Sequence, residues 1–298
     1  MREARSWRDF IYARFHRLDP HYKRLNKQEV ARLLSEADLP TARVYKRFAS
    51  ATDIDLTDLP DAFVLKPTSL SGNRGVMVLH RADGADSFWD ALWRMRRTSQ
   101  DIVRVETKWQ TLVEARVGRK LEFIAEQRLF AEDDPDRLPF EYKVYTFLDE
   151  VRLVQQINRN TKPPQEVFFV DEFDTVEDGT RIESSWNKIT RGIPHLPKCA
   201  DDIVRLAKRA CTHLASPFIR VDCFATSEGA VIGELTFTPG GPYYESLFKF
   251  TPAFNDELGR VWSDANKRLG RENPSVPDNY AVAKPGIPQL FRKRRGRA

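Results

Sequence analysis

Apolar positions recur along the chain with two periods, near 3.6 and 2, and their alternation predicts a mixture of helices and strands. In NKQEVARLLSEADLP, Val30, Leu33, Leu34 and Ala37 fall at helical spacing behind a capping Asn26 and stop before Pro40. ARVYKRF then reads as a strand. DAFVLKPTSLSGNRGVMVLHR, from Asp61, predicts two strands flanking a loop rich in Ser, Gly and Asn. ADSFWDALWRMRR predicts a helix with Trp89 and Trp93 at core spacing, and the centre from about Val103 to Val170 reads as mainly β. DDIVRLAKRACTHLA and PAFNDELGRVWSDANKRLG are amphipathic, with Leu206 and Ala210 in the first and Leu258 and Trp262 in the second at core spacing. From Pro274 onward the chain is expected to be extended and peripheral. No fixed repeat is present, so the pattern predicts an α+β fold with antiparallel strands.

Composition narrows the class. The 298 residues are 41% hydrophobic and 31% charged, which suits a packed protein with a solvated surface. No apolar run approaches the ~18 residues of a membrane-spanning helix, and the N-terminus lacks a secretory pattern, so a cytoplasmic location is expected. Three cysteines without CxxC spacing predict buried thiols in place of disulfides or zinc. The net charge of +5 equals the five cations of the terminal FRKRRGRA. The body is therefore balanced, and the tail suggests at most a weak contact with an anionic surface, with no specific nucleic-acid partner.

Candidate chemistry lies in two places. Lys66 ends the strand-like FVLKP beside TSLSGNRG, a loop whose backbone N–H groups can cradle phosphate while the lysine supplies a point charge. In IRVDCFATSEGAVIGELTFTPGG, Asp222 and Glu234 lie on two apolar runs joined by a turn, so a hairpin can bring both carboxylates to one side, as Mg²⁺ requires. Arg220 shares the parity of Asp222 and can stabilise developing charge, or simply pair with it. The turn at Pro239 and Gly240 can bind an oxyanion.

In this order, FVLKP with its Ser/Gly loop, EYKVYTF, RVDCF and GELTFTPG resemble the ATP-grasp superfamily, and more narrowly the TupA-like ATP-grasp family of polysaccharide and teichuronopeptide biosynthesis. The resemblance implies an ATP-grasp fold of two α+β lobes holding ATP between antiparallel sheets. Lys27, Lys66 and Lys143 would contact ATP phosphates, and Ser71, Gly72, Asn73, Arg74 and Gly75 would form the covering loop. AEQRLF would receive adenine through the Glu126 carbonyl, with Arg128 and Leu129 following, while Asp133 or Asp134 would serve the ribose. Arg220 and Gly240 would be catalytic, and Asp222, Glu234 and Thr236 would hold Mg²⁺. Thr236 departs from the asparagine common at that place, which implies a looser or missing metal. With 26 residues ahead of Lys27, the usual N-terminal acceptor lobe is expected to be missing or reduced.

The implied domains are an N-terminal helical segment (1–40), a phosphate-loop subdomain (41–125), a metal-site subdomain (126–270) and a basic tail (271–298). The implied reaction is ATP-dependent carboxylate–amine ligation through an acyl phosphate, with a sugar acid or peptide as acceptor and an amine donor. The alternatives are a kinase acting on a hydroxyl, or a nucleotide-binding module without catalysis.

Overall fold

The chain divides into two units: Met1–Thr41 with Ala131–Pro135 and Pro139–Pro285, and Ala42–Phe130 with Asp136–Leu138. The structure, a computed structural model, describes all residues but 24, 26, 71, 85, 119, 178, 186–188, 241–247 and 281–298. In chain order the first unit opens with β1 (Arg2–Glu3), α1 (Trp7–Phe15) and α2 (Lys27–Glu36). The second carries β2 (Val44–Phe48), β3 (Ala62–Pro67), β4 (Met77–Arg81), β5 (Phe88–Asp90), β6 (Met95–Arg97), α3 (Ser99–Val117) and β7 (Phe123–Gln127). The first resumes with β8 (Glu141–Phe147), β9 (Glu150–Asn158), β10 (Gln165–Val170), β11 (Asp174–Thr175), β12 (Ile182–Ser184), β13 (Thr190–Arg191) and α4 (Ala200–His213). It closes with β14 (Ile219–Thr226), β15 (Gly229–Thr236), β16 (Phe248–Phe250), α5 (Pro252–Arg268) and β17 (Ser275–Val276).

The second unit is an antiparallel sheet in the order β2-β7-β3-β4-β5-β6. Its core joins Phe63 and Leu65 of β3, Phe123 and Ala125 of β7, and Ile102 and Val113 of α3. The helix expected over ADSFWDALWRMRR is instead the β5–β6 hairpin. The carboxylate of Asp90 decides this: one oxygen accepts from the backbone N–H groups of Leu92 (3.2 Å) and Trp93 (3.3 Å), folding the chain where a helix would continue. The other pairs with buried Arg97 at 2.8 Å. Trp93, expected in a core, is 45% exposed.

A helix also replaces the β character expected just after Val103. Thr98 and Asp101 form a capping box at the start of α3, and Gly118 ends it at φ 67°. Ile102, Val103 and Val105 resemble strand residues, but Ile102, Glu106 and Val113 are the buried positions at helical spacing.

The first unit's main sheet runs β11-β10-β9-β8-β14-β15, with β13 beside β10. Strand alternation sends side chains to two faces. Tyr142, Val144, Val221 and Cys223 meet Ile203, Leu206 and Ala210 of α4 on one face. Tyr145, Phe147, Leu153 and Phe218 meet Trp7 and Phe10 of α1 and Leu258 and Trp262 of α5 on the other. There Trp7 meets Phe218 edge-on at 4.6 Å, and Phe10 stacks on Trp262 at 4.9 Å. The segment after Pro274 is less peripheral than its composition predicts. β17 pairs with β1, Val276 is fully buried, and the Tyr280 hydroxyl donates to Asp9 at 2.6 Å.

Cys211 and Cys223 are buried and Cys199 is half-buried, all as free thiols. The basic tail lies outside the described residues.

Candidate active site

The rows that carry the aromatic face continue into charged residues. On β14, Arg220 and Asp222 follow Phe218 on the same face; on β8, Glu141 and Lys143 precede Tyr145 and Phe147. Register then joins them, because Asp222 stands opposite Lys143 on one side and Glu234 on the other. The hairpin anticipated from Asp222 and Glu234 is therefore present, with the two residues directly paired.

Asp222 is 2% exposed and accepts from Arg220 Nε at 2.6 Å, Arg220 Nη2 at 2.7 Å and Lys143 Nζ at 2.7 Å. Arg220 Nη2 also donates to the Thr236 hydroxyl at 3.0 Å. Lys143 bonds Glu141, which also accepts from Arg159 at 2.6 Å. Burial alone would lower the pKa of Arg220, but the Asp222 carboxylate reverses this and raises it. Burial likewise pushes Glu141 up, while Lys143 and Arg159 outweigh it and hold the carboxyl well below its usual range. The ion pair weighed as a structural alternative for Arg220 and Asp222 thus exists as one part of a six-residue network.

Glu234 is exposed, and none of the described residues bonds its carboxylate. One bulge residue, Gly233, sits between the pairs Asp222–Glu234 and Cys223–Ile232, and a Cβ there would lie 2.5 Å from Phe224. This closeness sets how Glu234 leaves the strand. Asp222 and Glu234 are hard oxygen donors in register, and Mg²⁺ completes its octahedron with water and phosphate oxygens, so the pair fits that ion. Among the described residues no group of three or more His, Cys, Asp or Glu forms a fuller metal cluster. Gly240 is exposed at φ 69° behind buried Pro239. Lys27 begins α2; its side chain, Ser71, Gly241 and Tyr243 to Glu245 lie outside the description.

In the second unit Lys66 ends β3 and pairs with Glu126 of β7 at 2.5 Å. The loop after it turns at Gly72 (φ 68°) and Gly75 (φ 70°), around Asn73 and Arg74. Thr68 N donates to Glu122 O at 2.9 Å at one end, and Trp93 Nε1 donates to Val76 O at 2.9 Å at the other. Arg128 is 5% exposed, lies 4.9 Å above the Phe130 ring, and its Nη1 is 3.1 Å from His80 Nδ1. Burial first, then the nearby guanidinium, lower the His80 pKa, which favours a neutral ring accepting from Arg128. Leu129 is half-buried.

Asp134 is half-buried in the connection back to the first unit. Next to it Glu132 accepts from Lys198 N at 3.0 Å and lies 3.0 Å from His195 Nε2, so His195 has a defined partner.

Sequence reasoning missed Glu141, Arg159 and Glu132. Glu141 could have been found, because it lies two residues before Lys143 and shares its face. Arg159 gave no local signal.

These groups comprise a carboxylate pair, a half-buried arginine and lysine, and a glycine-turned loop with its own lysine. The profile of the TupA-like ATP-grasp family matches residues 11–261. The chain belongs to the TupA-like ATP-grasp family, and its fold is the α+β ATP-grasp fold. Among solved structures it is similar to the ATP-grasp ligase PsnB complexed with a minimal precursor: 12% identity, 80% of this chain and 60% of that one, TM-score 0.39. It is also similar to the D-alanine–D-alanine ligase of Bacillus anthracis complexed with ATP: 14% identity, 82% and 64%, TM-score 0.42. A third is the L-amino acid ligase of Bacillus licheniformis: 16% identity, 72% and 43%, TM-score 0.43. The chain thus spans 43% to 64% of the length of these structures. No curated protein matches it.

Proposed function

We propose that the protein is an ADP-forming ligase that joins a carboxylate to an amine, using ATP and Mg²⁺. The observation that carries this reading is the register of β14 with its two neighbours, which gathers Arg220, Asp222, Glu234 and Lys143 on one face. Family membership supports the nucleotide. Lys27, Lys66 and the loop of Ser71, Gly72, Asn73 and Gly75 take the phosphates, and Lys143 adds a further cation. The backbone of Glu126, with Arg128 and Leu129, receives adenine, and Asp134 the ribose.

Asp222 and Glu234 hold the metal, and Thr236 keeps Arg220 aimed through its hydroxyl. Bound Mg²⁺ offsets charge on the phosphate oxygens. The acceptor carboxylate attacks the γ-phosphate, releasing ADP; the amine then displaces phosphate through a tetrahedral intermediate. Arg220 and the Gly240 N–H stabilise the oxyanion, so catalysis rests on positioning and fixed charge. For Asp222 to reach a metal, Lys143 must exchange one carboxylate oxygen for a phosphate. The acceptor class is a sugar acid or peptide of cell-surface polymer synthesis, and the site of action is the cytoplasm.

Calorimetric titration of ATP with and without Mg²⁺, into wild type and Lys66→Ala, tests the nucleotide site. Metal-dependent binding lost in the variant supports it, and absence of binding in both refutes it. Amine-dependent release of ADP and phosphate then supports ligation, whereas a phosphorylated acceptor without free phosphate would identify a kinase.

A further inference from the structure

Glu106 lies in the middle of α3 and is fully buried, and among the described residues neither carboxyl oxygen has a hydrogen-bond partner. Burying such a group unpaired is costly. Its position is specific. A Cβ built on Gly75 would stand 2.9 Å from Glu106 Oε2 and 2.5 Å from Pro67 Cγ. The phosphate loop, tied at Thr68 and Val76, therefore rests at Gly75 directly on the Pro67 ring and the Glu106 carboxyl.

Burial pushes the Glu106 pKa up to about 8, with Arg97 of β6 opposing. Arg97 is turned to Asp90 of β5, which it bonds at 2.8 Å. Of the other charged groups nearby, Lys66 leaves β3 on the face opposite Pro67 and pairs with Glu126, Arg74 belongs to the loop above, and Lys108 is on the exposed side of α3. A neutral carboxyl has one O–H donor and a carbonyl acceptor, whereas the carboxylate has no donor and sets negative charge beneath a loop meant for phosphate.

We propose that Glu106 is a positioning residue of the phosphate loop: as a neutral acid it gives the backbone around Gly75 one donor and one acceptor when nucleotide phosphate settles the loop, so loss of its proton weakens nucleotide binding. The inference rests on the nucleotide reading above.

The test titrates Mg·ATP into wild type, Glu106→Gln and Glu106→Leu on both sides of pH 8. Gln keeps a donor and an acceptor but cannot ionise, so its profile carries the titration of ATP and of every other group. Relative to Glu106→Gln, wild-type affinity should fall about tenfold per pH unit above that value. Glu106→Leu should bind about tenfold more weakly throughout, having lost the hydrogen bonds. Infrared difference spectra at pH 7 should show a protonated-carboxyl band in wild type that Glu106→Gln lacks. Parallel profiles for wild type and Glu106→Gln, or wild-type affinity in Glu106→Leu, overturn the inference and leave the nucleotide reading intact. Failure of all three proteins to bind ATP at any pH removes both.

Discussion

Asp222→Asn tests whether the network at the polar end of the sheet supports the fold as well as the chemistry. The substitution keeps shape but removes the charge that faces Arg220 and Lys143. Lys143 retains Glu141, and Arg220 retains the Thr236 and Tyr145 side chains and the more distant charge of Glu141. Breaking a buried ion pair from one side costs about 3 to 5 kcal/mol, and the surviving partners place this case near the lower end, about 3 kcal/mol. Cys211 and Cys223 give an assay confined to the first unit, since both are fully buried there. Their labelling by a thiol reagent in native buffer follows opening of the unit, and about 3 kcal/mol corresponds to roughly a hundredfold faster labelling. Turnover should vanish as well. The double variant Arg220→Met with Asp222→Leu removes both charges; it should regain most of the thiol protection while staying inactive. Labelling of Asp222→Asn within a few-fold of wild type would refute the reasoning, because Arg220 would then not depend on its carboxylate.

Two further outcomes are expected. Asp9 is 2% exposed; burial would raise its pKa, but the Arg2 guanidinium, the Tyr280 hydroxyl and two backbone N–H groups bring it down to about 2. A lowered carboxyl stabilises the folded state above its usual value of 3.8 and loses that contribution as pH falls toward 2, so Trp7 fluorescence should show acid unfolding of wild type in that window and at higher pH for Asp9→Asn. A Cβ at Gly233 would stand 2.5 Å from Phe224, so Gly233→Ala should cost about 1 to 3 kcal/mol in urea unfolding and weaken metal-dependent ATP binding by displacing Glu234. Unchanged binding and stability would show that the bulge does not set the carboxylate.

Local pattern determined much of this protein. Period 3.6 in the α4 and α5 segments and alternation in β3 arise from one element burying one face, and the near-continuous apolar runs of β8 and β14 from strands covered on both, so they are legible without knowing the partner. The Asp222 and Glu234 hairpin was legible for the same reason, since a short turn leaves few registers.

Tertiary structure decided the rest. The segment from Phe88 to Arg97 has helical spacing, yet Asp90 finds Arg97 and the N–H groups of Leu92 and Trp93, and those bonds outweigh propensity. Arg159 joins the site only because β9 lies beside β8 and brings it to Glu141. Glu106 looks like an ordinary polar position in a helical run; only the packing of α3 beneath Gly75 turns it into a buried acid under the loop. The sequence specifies what each segment would bury, but a side chain's partner across the fold depends on register and packing between elements distant in the chain, and those contacts set the charge and reach of the groups in the site.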